Sequence, residues 1–553
     1  MSKLEEYISF LYPGQENHVM QGIHDLFEKY QPAYRQYKWV DQNDVLLITY
    51  GDAIQNEAEP SLRVLKKFLD QYLEQDISDV HILPMFPYTS DDGFSITDYR
   101  KINADLGDWN DIHALEENYD LMFDAVINHV SVSSRYFQKY LAGDPDYSQF
   151  FIEKEEGKNY QNVIRPRTLP LFTKFRKKDG NEVEVWTTFS EDQADLNYHN
   201  PEVLLEVLDV LLMYASNGAR FIRFDAIGFT WKESGTTCMH LPQTHTLVKV
   251  MRAVLDHCFP GCIIITETNV PHEENISYFG NGNDEANMVY QFPLPPLTLY
   301  SFVSGDATAL NKWFSSLEKT SEHTTYFNFL ASHDGIGLRP IENILNASEQ
   351  EKLVQAVLDR NGQVSYRTLS DGSTKPYELN INYFDAISGN ENDQKTAVKK
   401  FLASQCILLS IPGIPAIYYH SILGSRNDLE GYRKTGIKRR INREKLNWPQ
   451  LQKDLSDQTS LRYQVLEGFH EMIQIRKRFD SFNPNGDYTA KIYDERVFSC
   501  IRKGKKNIAV LINVSNQNVC LHTDIVGDSC FDGTHYEKTI DLSPYEYQWI
   551  EMK

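Results

Sequence analysis

Apolar residues along this chain fall in short unbroken blocks that alternate with longer stretches of helical period. The blocks are 45–50 (VLLITY), 80–83 (VHIL), 121–128 (LMFDAVIN), 220–225 (RFIRFD), 262–267 (CIIITE), 288–292 (MVYQF), 325–330 (TYFNFL) and 414–419 (IPAIYY). Near-continuous apolar runs of this length suit strands buried on both faces. Between many of them lie amphipathic stretches such as 202–215 (EVLLEVLDVLLMYA), patterned as helices. This alternation predicts an α/β protein with a parallel sheet and crossover helices, and eight strands are what a (β/α)8 TIM barrel needs.

Two intervals exceed a crossover helix. The third and fourth blocks stand about ninety residues apart, more than one helix and its loops require. That interval predicts an inserted subdomain after strand 3. A second insert, about 338–378, precedes the eighth block and contains Ser370-Asp371-Gly372-Ser373, residues that favour a loop. After about residue 485 the pattern becomes short alternating runs at 497–502, 507–514 and 545–550, which predict a small C-terminal β domain. The expected division is a barrel over 1–129 and 198–485, an inserted subdomain over 130–197 and a β domain over 486–553.

Composition narrows the class. With 41% hydrophobic and 12% aromatic residues in 553, the chain can bury a large core and is not disordered. Its 77 acidic against 55 basic residues give a net charge of −22, which argues against nucleic acid as partner, since phosphate contacts need basic surface. No stretch has the length and apolarity to span a bilayer, so no membrane partner is expected. The opening Met1-Ser2-Lys3-Leu4-Glu5-Glu6 begins no apolar run and predicts no secretory leader. The seven cysteines are scattered without a metal-type pair, as in a reduced, cytoplasmic protein.

Candidate chemistry lies at the strand ends. In such a barrel the site forms at the C-terminal ends of the strands. The first block leads to Asp52, the second to Ser90-Asp91-Asp92-Gly93 and on to Asp98-Tyr99, and the third carries Asp124 and ends at Asn128-His129. The fourth ends at Arg223 and Asp225, the fifth at Glu267, and the seventh leads to His333-Asp334. One acid at a strand end is commonly a structural ion pair. Acids or histidines at six ends converging on one mouth predict a catalytic site. Residues two apart on a strand share a face, so Arg223 is expected to keep Asp225 ionised, as a glycosidase nucleophile must be. Glu267 follows apolar or β-branched residues, a setting that raises a carboxyl pKa and keeps a proton available. Two such groups about 5 Å apart give a glycosyl-enzyme and net retention. Asp334 is expected as a third acid that binds sugar hydroxyls.

These residues resemble the α-amylase family of glycoside hydrolases. The resemblance covers Asp124-Ala-Val-Ile-Asn128-His129, Arg223-Phe-Asp225-Ala226, Glu267 and His333-Asp334, with Gln193-Ala194-Asp195-Leu196-Asn197 as a fifth motif. It implies a (β/α)8 barrel, an inserted domain and a C-terminal β domain. Residues 187–197, 229–241 (FTWKESGTTCMHL) and 436–443 (GIKRRINR) are similar to the sucrose phosphorylase branch. Within it, 266–272 (TETNVPH), 280–286 (GNGNDEA) and 328–338 (NFLASHDGIGL) resemble glucosylglycerate phosphorylases. The resemblance implies that Asp52, His129, Arg223, Asp334 and Arg439 hold the glucosyl unit, with Tyr99, Phe189, Gln193 and His333 in the substrate site. It departs from sucrose phosphorylase proper at Tyr99, Phe229 and Asn269, which stand where that branch has His, Tyr and His.

The implied activity is phosphorolysis of an α-glucoside, foremost 2-O-α-glucosylglycerate, to α-glucose 1-phosphate through a β-glucosyl-enzyme. Sucrose, sucrose 6'-phosphate and glucosylglycerol are alternative donors. Phosphate needs cations at the acceptor side, and the loop residues Arg165, Arg167, Lys232 and His272 are candidates, with Asn269 and Tyr377 beside them. Rival readings are an α-glucosidase or transglucosidase with the same machinery, and a non-catalytic sugar-binding protein; the latter is expected to lose Asp225 or Glu267. No cofactor motif appears. Asn128 alone is too little for calcium, which takes at least six oxygens, so no metal is expected. A homodimer is left open.

Overall fold

The computed structural model describes residues 2–30, 37–166, 169–368, 373–389, 391 and 393–553. Each of the eight apolar blocks forms one strand of a closed parallel barrel. They are β1 (Leu46–Thr49), β2 (Asp79–Ile82), β3 (Asp120–Ala125), β4 (Ala219–Phe224), β5 (Ile263–Thr266), β6 (Met288–Tyr290), β7 (Thr325–Phe329) and β8 (Ile414–Tyr418). The barrel closes where Leu46 of β1 pairs with Ala416 of β8. β5 is three isoleucines and a threonine, every one buried, and β-branched side chains suit a strand packed on both faces.

Helices cover the outside, as the amphipathic stretches predict. The helix Pro201–Ser216 begins with Asn200, whose side chain accepts from the Glu202 amide, and has Pro at its start. Both are strong start signals. It buries Val203, Leu204, Val207, Leu208 and Leu211, each contributing about 1.5–3 kcal/mol as an upper bound. Gly218, at φ +98°, turns the chain into β4. At the N-terminal end of the barrel, Arg220 Nη1 contacts Asp44, Asp79 and Asp120 at 2.7, 3.0 and 2.9 Å. This buried cluster ties β2, β3 and β4 together at the end away from the site.

Two insertions shape the C-terminal mouth. Between β3 and β4, the strand His129–Ser131 pairs antiparallel with Gln193–Asp195, and a hairpin joins Phe172–Arg176 to Glu182–Trp186. Phe137 packs edge-on against Phe151 and Phe175 at 4.9 and 4.8 Å, and this aromatic group is continuous with the barrel core. Between β7 and β8, Thr374–Asn380 is the middle strand of a small sheet, flanked by Ile336–Gly337 and Gln363–Thr368. The turn expected over 370–373 lies mostly outside the described residues. A six-stranded antiparallel sheet ends the chain. It includes the runs read from sequence and a hairpin, Val519–Ser529 with His535–Leu542, in which exposed positions interrupt the buried ones along both strands, so no dense apolar run marked it. Trp549 Nε1 and Arg502 Nη1 fix this sheet to Ser410 of the barrel layer, at 2.8 and 2.9 Å. Among the described residues, no helix is long and apolar enough to cross a membrane.

Candidate active site

β4 and β5 run side by side in the register Arg223↔Ile265 and Phe224↔Thr266. Asp225 and Glu267, one residue further, therefore stand level, and the Glu267 amide donates to Phe224 O at 3.1 Å. Neighbouring strands lie about 4.8 Å apart, so two level side chains of this kind start from backbones close enough for the roughly 5 Å carboxyl separation of a retaining pair. One guanidinium serves both: Arg223 Nη1 is 2.9 Å from Asp225 Oδ1, and Nη2 is 3.8 Å from Glu267 Oε2. Arg223 is itself held by Asp124, and Asp124 Oδ2 is 2.6 Å from His81 Nε2. Ala226, at φ +50°, takes the left-handed conformation, and its amide donates to Glu267 Oε2 at 3.1 Å. That conformation costs a non-glycine residue about 1–2 kcal/mol.

Charge is unevenly shared among the acids. Burial, helped by the negative Asp225 and Asp334, lifts Glu267 to about 7 against the pull of Arg223. Asp225 is also raised by burial, an effect that outweighs Arg223 and His129. Arg223, expected to keep Asp225 ionised, pulls its pKa down and so limits the rise but does not reverse it. Asp334 goes the other way. Burial would raise it, but Arg439, His333 and Arg443 hold it well below the usual carboxylate range. Arg439 Nη1 lies 2.6 Å from Asp334 Oδ1, and Arg439 Nε donates to Glu378 Oε1 at 3.0 Å. Burial drives His333 down to about 3, so its ring is neutral near pH 7, stacked on Phe94 at 4.7 Å.

These groups border one cavity of about 400 Å³. Of the residues singled out from sequence, Asp225, Glu267, Asp334, His129, Phe189, Gln193, His333, Arg439, Arg165, Asn269 and Tyr377 line it. Phe189 packs against His129 and Phe229, and both His129 Nε2 and Gln193 Nε2 reach Phe94 O, at 3.0 and 3.1 Å. The inserted segment thus supplies one wall.

Other candidates fall elsewhere. Arg223 stands behind the two carboxyls. Tyr99 is buried in the layer below and donates to Val126 O at 2.6 Å. Asp52 pairs with Lys445 in a separate cleft of about 190 Å³. Lys232 is no acceptor-side cation: its Nζ is buried against Asp195 Oδ2 at 2.7 Å and Asn128 Oδ1 at 2.8 Å. His272 points to Glu318, at 2.7 Å, and is absent from the cavity lining. Arg167 lies outside the described residues. An ammonium therefore faces Asn128. Among the described residues, no group of three or more His, Cys, Asp and Glu is arranged for a metal ion.

The cavity also contains Glu378, Arg339 and Arg367, which the strand-end rule could not find. All three come from the β7–β8 insert, where Gly337 pairs with Glu378 and Arg367 with Lys375.

Residues 67–358 match the alpha amylase catalytic domain. The chain is 45% identical over 530 residues to the glucosylglycerate phosphorylase of Spirochaeta thermophila, covering 93% of this chain and 89% of that one. It is 44% identical over 548 residues to the glucosylglycerate phosphorylase of Allomeiothermus silvanus, covering 99% and 97%. The crystal structure of sucrose 6F-phosphate phosphorylase from Thermoanaerobacter thermosaccharolyticum superposes with a TM-score of 0.77 at 24% identity, over 92% of this chain and all of that one, a likeness of fold. With its closed eight-stranded barrel, its strand-end acids and these relatives, the chain belongs to the α-amylase family.

Proposed function

We propose that this protein is a retaining glycoside phosphorylase that cleaves 2-O-α-glucosylglycerate with inorganic phosphate, reversibly, to α-glucose 1-phosphate and glycerate. The observation that carries the chemistry is the level pair Asp225 and Glu267 on one guanidinium. Substrate choice is supported by near full-length similarity to enzymes of that name. In the first step an Asp225 oxygen bonds to the anomeric carbon as the bond to the glycerate oxygen breaks. Glu267 gives its proton to that oxygen. In the second step a phosphate oxygen bonds to the anomeric carbon, the bond to Asp225 breaks, and the phosphate proton returns to Glu267. Two inversions retain the α configuration. Asp334, kept ionised by Arg439, takes sugar hydroxyls and steadies positive charge on the ring. His129, His333, Phe189 and Gln193 border the glucosyl unit. The seven cysteines are free and mostly buried, which supports a reducing, cytoplasmic setting.

The test is incubation of glucosylglycerate with and without phosphate. Glucose 1-phosphate formed in step with phosphate supports the reading. Free glucose at an equal rate in both, with no glucose 1-phosphate, makes the enzyme a hydrolase.

A further inference from the structure

Four arginines line the cavity: Arg165 of the inserted segment, which is exposed, and three others of two kinds. Arg439 is committed to Asp334 and Glu378. Arg339 and Arg367 also line the cavity, but their acids do not. Among the described residues Arg339 pairs only with Glu274, at 3.9 Å. Arg367 Nη2 donates to Glu342 Oε1 at 2.7 Å, and Lys375 Nζ shares that oxygen at 2.9 Å. Among the described residues these two cations share one carboxylate, and Arg367 Nε is buried without a hydrogen-bond partner. A buried donor left unpaired is costly.

One sheet positions these groups. Leu338, next to Arg339, donates its amide to Tyr377 O at 3.0 Å. On the other side of the middle strand, Arg367 pairs with Lys375. A Cβ on Gly337 would come within 2.8 Å of Asn269 Nδ2, so Asn269 sits directly on this sheet. Its Oδ1 is buried and unpartnered. Two guanidinium donors and one amide acceptor thus border the same space. Donors in a planar fork suit an oxyanion, and the acceptor suits a hydroxyl beside it. The lining also carries the acids Asp91, Asp225, Glu267, Asp334 and Glu378; Arg439 offsets two of them, and Arg339 and Arg367 add positive charge that favours an anionic acceptor.

We propose that Arg339 and Arg367 form an anion subsite that grips the carboxylate of a small hydroxy acid in one half-reaction and inorganic phosphate in the other, with Asn269 accepting from the acid's free hydroxyl. This rests on the phosphorylase reading above and names its acceptor determinants.

The test uses the full-length enzyme with α-glucosyl fluoride as donor, so that no anion enters the first step. Glycerate, phosphate and neutral glycerol are compared as acceptors for wild type, Arg339→Gln, Arg367→Gln and Arg367→Lys. Losing a charge-assisted hydrogen bond predicts that each Gln variant raises KM for glycerate and for phosphate about 10- to 100-fold. Transfer to glycerol changes far less, and Arg367→Lys recovers part of the loss. Equal losses with glycerol and the anions mean a structural effect and overturn the subsite, as does an unchanged KM for both anions. Loss with glycerate alone overturns the sharing with phosphate. A wild-type enzyme that glucosylates glycerate but never phosphate sinks the phosphorylase reading while the glycerate arm still tests the arginines.

Discussion

The Ala226 amide donates to Glu267 Oε2 across 3.1 Å. The residue after Asp225 thus orients the carboxyl on the neighbouring strand, and one turn of backbone sets both groups. Their proposed tasks are nonetheless separable by leaving group. Glu267→Gln is expected to lower kcat with glucosylglycerate about 10²- to 10⁴-fold. With α-glucosyl fluoride, whose leaving group needs no proton, the first step loses far less. Asp225→Asn is expected to abolish turnover of both donors. Steady-state rates on the two donors check this, and an Asp225→Asn enzyme with full turnover refutes the assignment.

The pH profile follows from burial. Glu267 must be protonated to act as acid, and burial holds it at about 7. Phosphorolytic kcat/KM therefore falls as pH rises through about 7, approaching tenfold per pH unit. The acid limb belongs to Asp225, which burial raises, so it lies above the pH of an ordinary aspartate. In Glu267→Gln the alkaline limb is expected to vanish. A profile that stays flat from pH 6 to 9 in the wild type contradicts this.

The same shift predicts a stability effect. Glu267 binds its proton more tightly when folded than when unfolded. Its favourable contribution is complete below the ordinary glutamate pKa and is lost as pH rises through about 7. Glu267→Gln is therefore expected to be more stable than wild type at pH 8, by about 1–3 kcal/mol, and near equal to it at pH 4. Denaturant unfolding at the two pH values measures the difference.

Lys232 is expected to matter for folding rather than for phosphate. Lys232→Met leaves Asp195 buried without its cation, at a cost of about 3–5 kcal/mol. Denaturant midpoint reads the loss. A variant of wild-type stability whose KM for phosphate rises tenfold would return Lys232 to the acceptor side.

Much of the barrel is legible in the sequence because parallel strands buried on both faces must be apolar throughout. A charged residue ending such a run is conspicuous, which is why Asp225, Glu267 and His333-Asp334 stand out. Positions fixed by distant partners are not legible. Lys232 in a loop reads as an acceptor-side cation until Asp195 and Asn128 fold over it. Asp52 reads as a site residue until Lys445, nearly four hundred residues on, meets it. Arg339 and Arg367 have no barrel strand end to mark them, and the pairings of Gly337 with Glu378 and of Arg367 with Lys375 bring their segments to the mouth. For Asp225 the partner was legible but the degree of burial was not, and burial decided the direction of its shift.

The ammonium of Lys232 between Asn128 and Asp195 has one more consequence. A cation that is part of the chain has no dissociation constant. Dilution cannot remove it, chelators cannot compete for it, and its positioning entropy is lost once, during folding. The junction between barrel and inserted segment is thereby tied by a charge that the fold itself carries.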